Sequence, residues 1–554
     1  SRDIKLTSYS CVRETSDSAP FNLVLREGAT MSSHKMDTAM PKLVFHGPSF
    51  VHTGVRYMTG NAVNERRGVA TRILMVVPEP VPGAFVPVMR FMRALGRQVR
   101  ATGLYTAARV GSYSESHSGA KRALYAEAEV DYLEHGYRGP TELGVKAFVK
   151  FEPSRTEGDG GKSPDLVDPR MIQFTKPKAT IIEATVLRPF EHIIYTWKGD
   201  GRLLPLGLVI GKSLNSWGRA AHLHGHWGCF SKPIAVTFDC WRWDGTVTRE
   251  LKRCKTELYK FATTGLQGRI RRDFLRVLKD LEDCAGTTTQ GIEYQGVGGV
   301  GSGQFDTGLG NSVMMLALIV CAVKSSGLKC KDFRVLVDGD DNVVFMEAVN
   351  FTGARRAAII EFFLNCGMRL KVENEAKEFE KIEWCQCHPV WFPAGYRMIR
   401  NPARLLDSAL VNPHWVKCPT RMPGDVGMRG QAEIALNTGA PICQQFGIKL
   451  LAVARASAPH KLKIRAPNRS DPIWWRMREE GYRTPPLPVH PATRASFAMA
   501  FGVTSAQQVA YEVWIRDTPV SLVAKHYLGQ QPMVGSTRPP PELVPGAPSV
   551  LRDD

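Results

Sequence analysis

Apolar residues along the chain change period from one stretch to the next, and those changes mark out elements. Residues 145–153 (VKAFVKFEP) alternate apolar and polar, as a strand with one buried face does, and PRMIQF at 169–174 reads as a second short strand. Between them SRTEGDGGKSPDLVD is polar and glycine-rich, which predicts a loop. Residues 118–136 have helical character, 250–263 predict a helix, and 311–323 predict an apolar helix leaving a glycine cluster. IAVTFDCWRWD at 234–244 opens as a β-rich run and ends acidic. FRVLV (333–337), an Asp-Gly turn and VVFM (343–346) carry the signature of a hairpin, and 354–368 predict an amphipathic helix. Beyond about residue 420 helical pieces alternate with proline-rich loops. Residues 1–60 are weakly patterned and read as an extension. The tail from 529 is proline-rich and predicts disorder.

With 554 residues the chain is too long for one compact core and suits a multi-lobed protein. Lys and Arg number 72 against 53 Asp and Glu, a net charge of +19. Such a surplus favours a polyanionic partner, because each phosphate neutralised releases counterions. A basic, soluble surface with no nucleic acid is the plainer alternative. The 12 cysteines follow no regular framework and predict reduced thiols. His222, His224, His226 and Cys229, and then Cys385, Cys387 and His388, lack the paired spacing of a structural zinc site; alternating histidines also fit one face of a strand or loop. No signal peptide is visible. The longest apolar run, 313–323, is shorter than the roughly 20 residues that span a bilayer and predicts a buried helix. The first residue is Ser rather than Met, which fits a piece of a longer product whose membrane anchor lies elsewhere.

The hairpin tip carries the strongest chemistry. Asp338, Gly339, Asp340 and Asp341 sit between two apolar strands, and adjacent carboxylates repel unless a cation neutralises them. A calcium loop fails because Val343 stands at the glycine position and Val349 at the terminal glutamate position. A solvated turn is the common alternative. A two-metal phosphoryl-transfer site needs a further carboxylate, and Asp239, ending IAVTF, supplies one, with Asp244 five residues on. Gly296, Gly298 and Gly301 match the dinucleotide-binding pattern formally, but no βαβ unit with a second acidic strand is evident. Thr307 and Asn311, four apart at a helix start, share a face suited to a sugar-phosphate backbone; a packed turn before a core helix is the alternative.

In order, D-x4-D (Asp239, Asp244), S-G-x3-T-x3-N (Ser302, Gly303, Thr307, Asn311) and G-D-D (Gly339, Asp340, Asp341) resemble the motifs of RNA-dependent RNA polymerases from tombusvirus-like positive-strand RNA viruses. The likeness extends to SGAKRALYAEA at 118–128, similar to the family's template-guiding segment. FVKFEP with DPRMIQF is similar to its basic nucleotide-entry motif, with Lys150, Glu152 and Arg170 matching. Residues 367–391 resemble the segments after the catalytic hairpin, with Lys371 in the LKVE position, and 494–512 resemble the thumb signature. Trp241, Trp243 and Asp306 depart from the usual residues.

The resemblance implies an α+β right-hand fold. Its parts are an extension (1–60), fingers (61–233), a palm on an antiparallel sheet (234–415, with a finger insertion at about 262–300), a thumb (416–528) and the tail (529–554). It implies two Mg2+ (or Mn2+) ions held by Asp239, Asp340 and Asp341, and an NTP site of Lys150, Arg170, Asp244, Ser302, Gly303, Thr307 and Asn311. Lys150 and Arg170 are expected to neutralise the triphosphate, Asp244 and Asn311 to read the ribose, and Gly303 to let its loop flex. Lys371 is the candidate general acid, with an ordinary surface lysine as the alternative. Expected partners are RNA template and product, NTPs, and viral and host replication factors. The membrane is reached only indirectly, at replication complexes in the host cytoplasm. Synthesis is expected to start without a primer. A reverse transcriptase would carry an aromatic residue before the Asp-Asp pair and a bulky one at 244. A non-catalytic RNA-binding protein would explain the charge but not the acidic cluster.

Overall fold

The apolar runs that end at Asp239 and flank Asp340 fold into neighbouring strands of one sheet. The structure, a computed structural model, describes residues 60–150, 168–409, 419–458 and 484–523, residues 415 and 464, and a few short strands elsewhere. In chain order, helices α1 (Val86–Ala101) and α2 (Gly119–His135) precede strands β1 (Lys146–Val149) and β2 (Met171–Phe174). Helices α3 (Pro177–Ile194) and α4 (Ser216–Trp227) lead to β3 (Pro233–Cys240), followed by α5 (Arg249–Ala262) and α6 (Arg269–Asp280). Then come β4 (Cys284–Thr288), β5 (Ile292–Gly296), α7 (Thr307–Ser325), the hairpin β6 (Phe333–Asp338) and β7 (Asp341–Glu347), α8 (Gly353–Asn365) and β8 (Leu370–Ala376). Four longer helices follow, α9 (Met422–Leu436), α10 (Cys443–Ser457), α11 (Pro491–Phe501) and α12 (Ser505–Asp517), and a short strand at Val520–Val523 ends the described chain. The fold is mixed α and β.

The central sheet runs β6-β7-β3-β8, every neighbour antiparallel. Ile234 to Phe238 are all buried, so β3 is covered on both faces, as an interior strand should be. The β3–β8 register shifts between Thr237 and Phe238. Such an irregularity turns the strand locally and re-aims the residue beyond it, here Asp239. Helix α7 lies against β6, α8 and α1 and is buried on nearly every side. It is long and apolar enough to cross a bilayer, but the fold uses it as a core helix.

A second sheet, ordered β5-β4-β1-β2, joins the two predicted basic strands to a later hairpin; its β4–β1 pairing is parallel. β5 and β6, the strands on either side of the glycine cluster and α7, lie in different sheets, so the cluster does not close a βαβ unit, and the dinucleotide-binding alternative falls on that topology. The C-terminal helices form a separate apolar cluster around Phe446, Phe497 and Trp514.

The three alternating histidines lie on helix α4, not on a strand or loop. His226 is buried with Nε2 3.1 Å from the Leu208 carbonyl, and His224 stacks on Tyr396. Sequence spacing alone could not separate a period of two from three positions of a helical turn. Glu152, most of the predicted loop at 154–168, most of the extension and the whole tail lie outside the described residues.

Candidate functional site

The hairpin tip is built by a short list of contacts. β6 and β7 pair from Phe333↔Met346 to Asp338↔Asp341, leaving Gly339 and Asp340 as a two-residue turn. Gly339 takes φ +69°, and Asp340 is not among the residues with positive φ, which matches the II′ turns that fit strand twist. The Gly339 N–H donates to Ser312 Oγ on α7 (2.9 Å), tying the turn to the core helix. Asn342, one residue past the tip, clamps the hairpin to β3. Its Nδ2 donates to the Phe238 carbonyl at 2.7 Å and its Oδ1 accepts the Phe238 N–H at 3.3 Å. That pair of bonds fixes Asp239, the next residue, beside Asp340. Replacing Asn342 by Leu is therefore expected to lower Tm and to reduce kcat more than it raises the KM for nucleotide. It leaves two buried backbone groups of Phe238 without their partner, at about 1–3 kcal/mol each. Thermal melts together with steady-state kinetics check this.

The three aspartates at the tip have different surroundings. Asp338 is buried and ion-paired with Arg219 and with Lys212, the latter at 2.9 Å. Burial alone would raise its pKa, but the two cations win and hold the carboxyl below its usual range. It is thus an anchoring charge rather than a free ligand, a role its place in the D-G-D-D string does not reveal. The Asp340 carboxyl is pushed up, first by the protein that displaces water around it and then by the negative charges of Asp244 and Asp239; Arg170 opposes this. Asp341 is pushed up further, to about 7, by desolvation and by Asp340, Asp338 and Glu373. Its carboxyl hydrogen-bonds with Cys385 and is not among the groups lining the cavity described next.

One cavity of about 670 Å³ gathers most of the predicted residues. Asp239, Asp340, Asp244, Lys150, Arg170, Ser302, Gly303 and Thr307 all line it. Lys150 and Arg170 come from adjacent strands whose ends are joined by the Lys150 N–H to the Arg170 carbonyl (2.7 Å). Ser302 donates its hydroxyl to Asp244. Desolvation raises the Asp244 pKa, while Ser302, Arg170, Asn311 and Arg72 pull it back. Asn311 is buried in α7, behind the cavity, with its side chain reaching Asp244. Lys371 is exposed on β8, directly opposite Asp239 in the strand register, and so on the same face of the sheet. It is not one of the cavity's lining residues.

The glycine loop holds these parts in register. Gly299 N–H donates to the Val247 carbonyl at 2.8 Å and Val300 N–H to the Asp244 carbonyl at 2.7 Å. Gly298 and Gly299 both take φ +71°, where a side chain would be strained. Gly303 has φ +120°, and a Cβ there would meet the Gln173 carbonyl at 2.9 Å. Close packing against β2 is thus a sufficient reason for this glycine, beside the flexing expected from sequence. Thr307 caps the loop from within, donating to the Gly301 carbonyl at 2.8 Å.

Sequence reasoning passed over several groups here. Arg72 lines the cavity from a segment with no motif. Arg242, at φ +51°, donates to the Thr71 carbonyl at 2.7 Å and pairs with Asp168, joining the β3 end to the segment before β2. Trp241, one of the departures, has the guanidinium groups of Arg242 (4.7 Å) and Arg369 (5.0 Å) packed over its ring. Trp243 is buried in the core and also lines the cavity wall. Asp306, the third departure, is buried against Lys255 and accepts the Tyr259 hydroxyl at 2.6 Å, so its charge is balanced. Among the described residues, no three His, Cys, Asp or Glu side chains converge closely enough to form a ready-made metal cage. Asp239 and Asp340 are nonetheless two hard-oxygen donors in one cavity, each adding to the other's charge. That crowding fits a magnesium-like ion that takes one or two protein carboxylates and fills its shell with water and phosphate oxygens.

The chain matches a family model described as viral RNA dependent RNA polymerase over residues 35–522. It is 29% identical over 451 residues to the RNA-directed RNA polymerase of oat chlorotic stunt virus (isolate United Kingdom), an alignment covering 79% of this chain and 57% of that protein. The corresponding protein of tomato bushy stunt virus (strain Cherry) is 27% identical over 465 residues, 81% of this chain and 53% of its own length. That of tobacco necrosis virus (strain A) is 26% identical over 466 residues, 81% and 60%. The chain therefore spans between half and three-fifths of the length of these relatives.

Proposed function

The chain belongs to the viral RNA-dependent RNA polymerase family, and from that premise we propose that it copies a positive-strand RNA genome by nucleotidyl transfer from NTPs. The observation that carries the reading is the single cavity in which two carboxylates, two basic side chains and a Ser–Asp pair face one another. In the proposed arrangement the sheet β6-β7-β3-β8 is the palm. Most of residues 61–233, with β4 and β5, are the fingers, and the helices after 416 are the thumb.

Asp239 and Asp340 would hold Mg2+ or Mn2+; Asp341, the third carboxylate of the family motif, faces Cys385 outside the cavity. Such ions, when bound, supply neutralisation of charge on the reacting phosphate and activation of the attacking hydroxyl. The chain's own residues do the rest. Lys150 and Arg170 bind and orient the triphosphate, Arg170 by the bidentate contacts a guanidinium makes with phosphate. Asp244 accepts and orients the ribose hydroxyls, with Ser302 and Asn311 behind it holding its carboxylate. Lys371, opposite Asp239 in the strand register, would hold a proton for the departing pyrophosphate. Primer-independent initiation, partner replication factors and indirect membrane attachment belong to the same reading and rest on the family resemblance.

Arg170 gives the direct test of the nucleotide end. Arg170→Ala is expected to raise the KM for NTPs by about tenfold or more, roughly the 1.5–3 kcal/mol of a charged hydrogen bond, while template affinity changes little. Arg170→Lys should recover only part, since an ammonium cannot make the planar two-point contact. Steady-state NTP titrations beside RNA-binding isotherms measure both. An unchanged NTP dependence in Arg170→Ala would remove the residue from the site.

A further inference from the structure

The ribose-facing pair has a polar back wall that the proposed reaction leaves unused. Helix α3 carries Glu183 into the core, where it is fully buried and neither carboxyl oxygen has a hydrogen-bond partner. On α7, across from it, Asn311 is also buried. Its side chain lies near enough to the Asp244 carboxylate to favour the charged form, and since an ionised carboxylate only accepts, the favourable orientation turns the amide N–H group toward Asp244 and Oδ1 away. That Oδ1 is likewise buried without a partner. Glu183 and Asn311 line one small cavity of about 20 Å³. This is close to the space a single water needs.

The charged neighbours around this cavity are already engaged. Lys255 pairs with Asp306, which also takes the Tyr259 hydroxyl, and Lys252 donates to the Leu281 carbonyl at 2.5 Å. Orphaned acceptors on both sides of one small space are costly unless one of them becomes a donor. Glu183 can do so. Burial, reinforced by Asp306 and opposed by Lys255, pushes its pKa up to about 8, so its acid form carries an O–H at neutral pH.

We propose that Glu183 is a positioning residue for ribose recognition: across the small cavity, directly or through one water, it donates to Asn311 Oδ1 and so holds the Asn311 amide toward Asp244. The inference rests on the reading of Asp244 and Asn311 as the ribose-recognising pair. Nothing in the motifs points to residue 183, because the contact joins two helices more than a hundred positions apart.

The test compares kcat/KM for ATP and dATP in wild type, Glu183→Gln, Glu183→Leu, Asn311→Ala and the Glu183→Leu/Asn311→Ala double variant. Glu183→Gln keeps a donor in the same place and is expected to hold the NTP-over-dNTP ratio within about twofold of wild type. Glu183→Leu should narrow it by about tenfold, mainly by slowing ATP use, and the double variant should be no worse than Asn311→Ala alone. A folded Glu183→Leu protein with the wild-type ratio, a Gln variant as impaired as Leu, or multiplicative effects in the double variant would each overturn the assignment. If Leu prevents folding, Glu183→Asp, which withdraws the carboxyl by one methylene, carries the same test, and an unchanged ratio again overturns it. If Asn311→Ala itself keeps the wild-type ratio, the ribose reading fails and Glu183 falls with it. If Asn311→Ala narrows the ratio and Glu183→Leu does not, only the Glu183 assignment is lost.

Discussion

Asp340→Ala is expected to abolish nucleotide incorporation, by about a thousandfold or more, while leaving RNA binding close to wild type. The carboxylate lines the cavity beside Asp239 and sits on a two-residue turn whose backbone is held by Gly339, not by its own side chain. Its loss should therefore cost chemistry and not the hairpin. Removing several kcal/mol of charge stabilisation corresponds to that loss of rate. Single-turnover incorporation, a filter-binding isotherm for template and a thermal melt separate the possibilities. A protein that melts early would mean the residue is structural. One that melts normally and incorporates at the wild-type rate would remove Asp340 from the reaction.

Asp338→Ala, two residues away, should behave in the opposite way. The side chain is buried between Arg219 and Lys212, and Arg219 also lies 4.9 Å from the Trp384 ring. Deleting the acid strands a guanidinium in a crowded, poorly hydrated place. Breaking such a buried pair costs about 3–5 kcal/mol, so Tm should fall by many degrees before any effect on catalysis is considered. The sign of the pH dependence follows from the same pair. The folded carboxyl lies below its ordinary value, so its contribution is complete above the ordinary carboxylate pKa of 3.8 and is lost as acid takes the pH down through the folded value. Asp338→Ala should flatten that acid limb of the stability curve. Equal stability of the variant and wild type at pH 7 would mean the ion pairs contribute nothing net.

The contrast between these neighbours shows what one sequence can and cannot convey. The hairpin, the strand ending at Asp239 and the apolar helix after the glycine loop were legible because each is a local period or turn. Spaced motifs also pointed to eight residues that line one cavity. What stayed hidden is what long-range packing decides. Asp338, Asp340 and Asp341 are nearly adjacent in sequence, yet one faces two cations, one faces the cavity and one faces Cys385. Asn342 reads as an ordinary residue after a turn until β3 is laid beside it. Gly303 suggested flexibility from sequence and proves to be pressed against Gln173. The histidines of α4 looked like a strand face because a two-residue spacing has no unique period.

The measurement that bears most directly on the whole account is synthesis itself. The purified chain is given a defined single-stranded RNA, all four NTPs with one radiolabelled, and Mg2+ or Mn2+, with and without a short primer. The account predicts labelled RNA complementary to the template, absent when a chelator removes the divalent ion and absent with Asp340→Ala. A folded, template-bound protein that makes no complementary RNA with either ion, or an Asp340→Ala protein that makes as much as wild type, would contradict it.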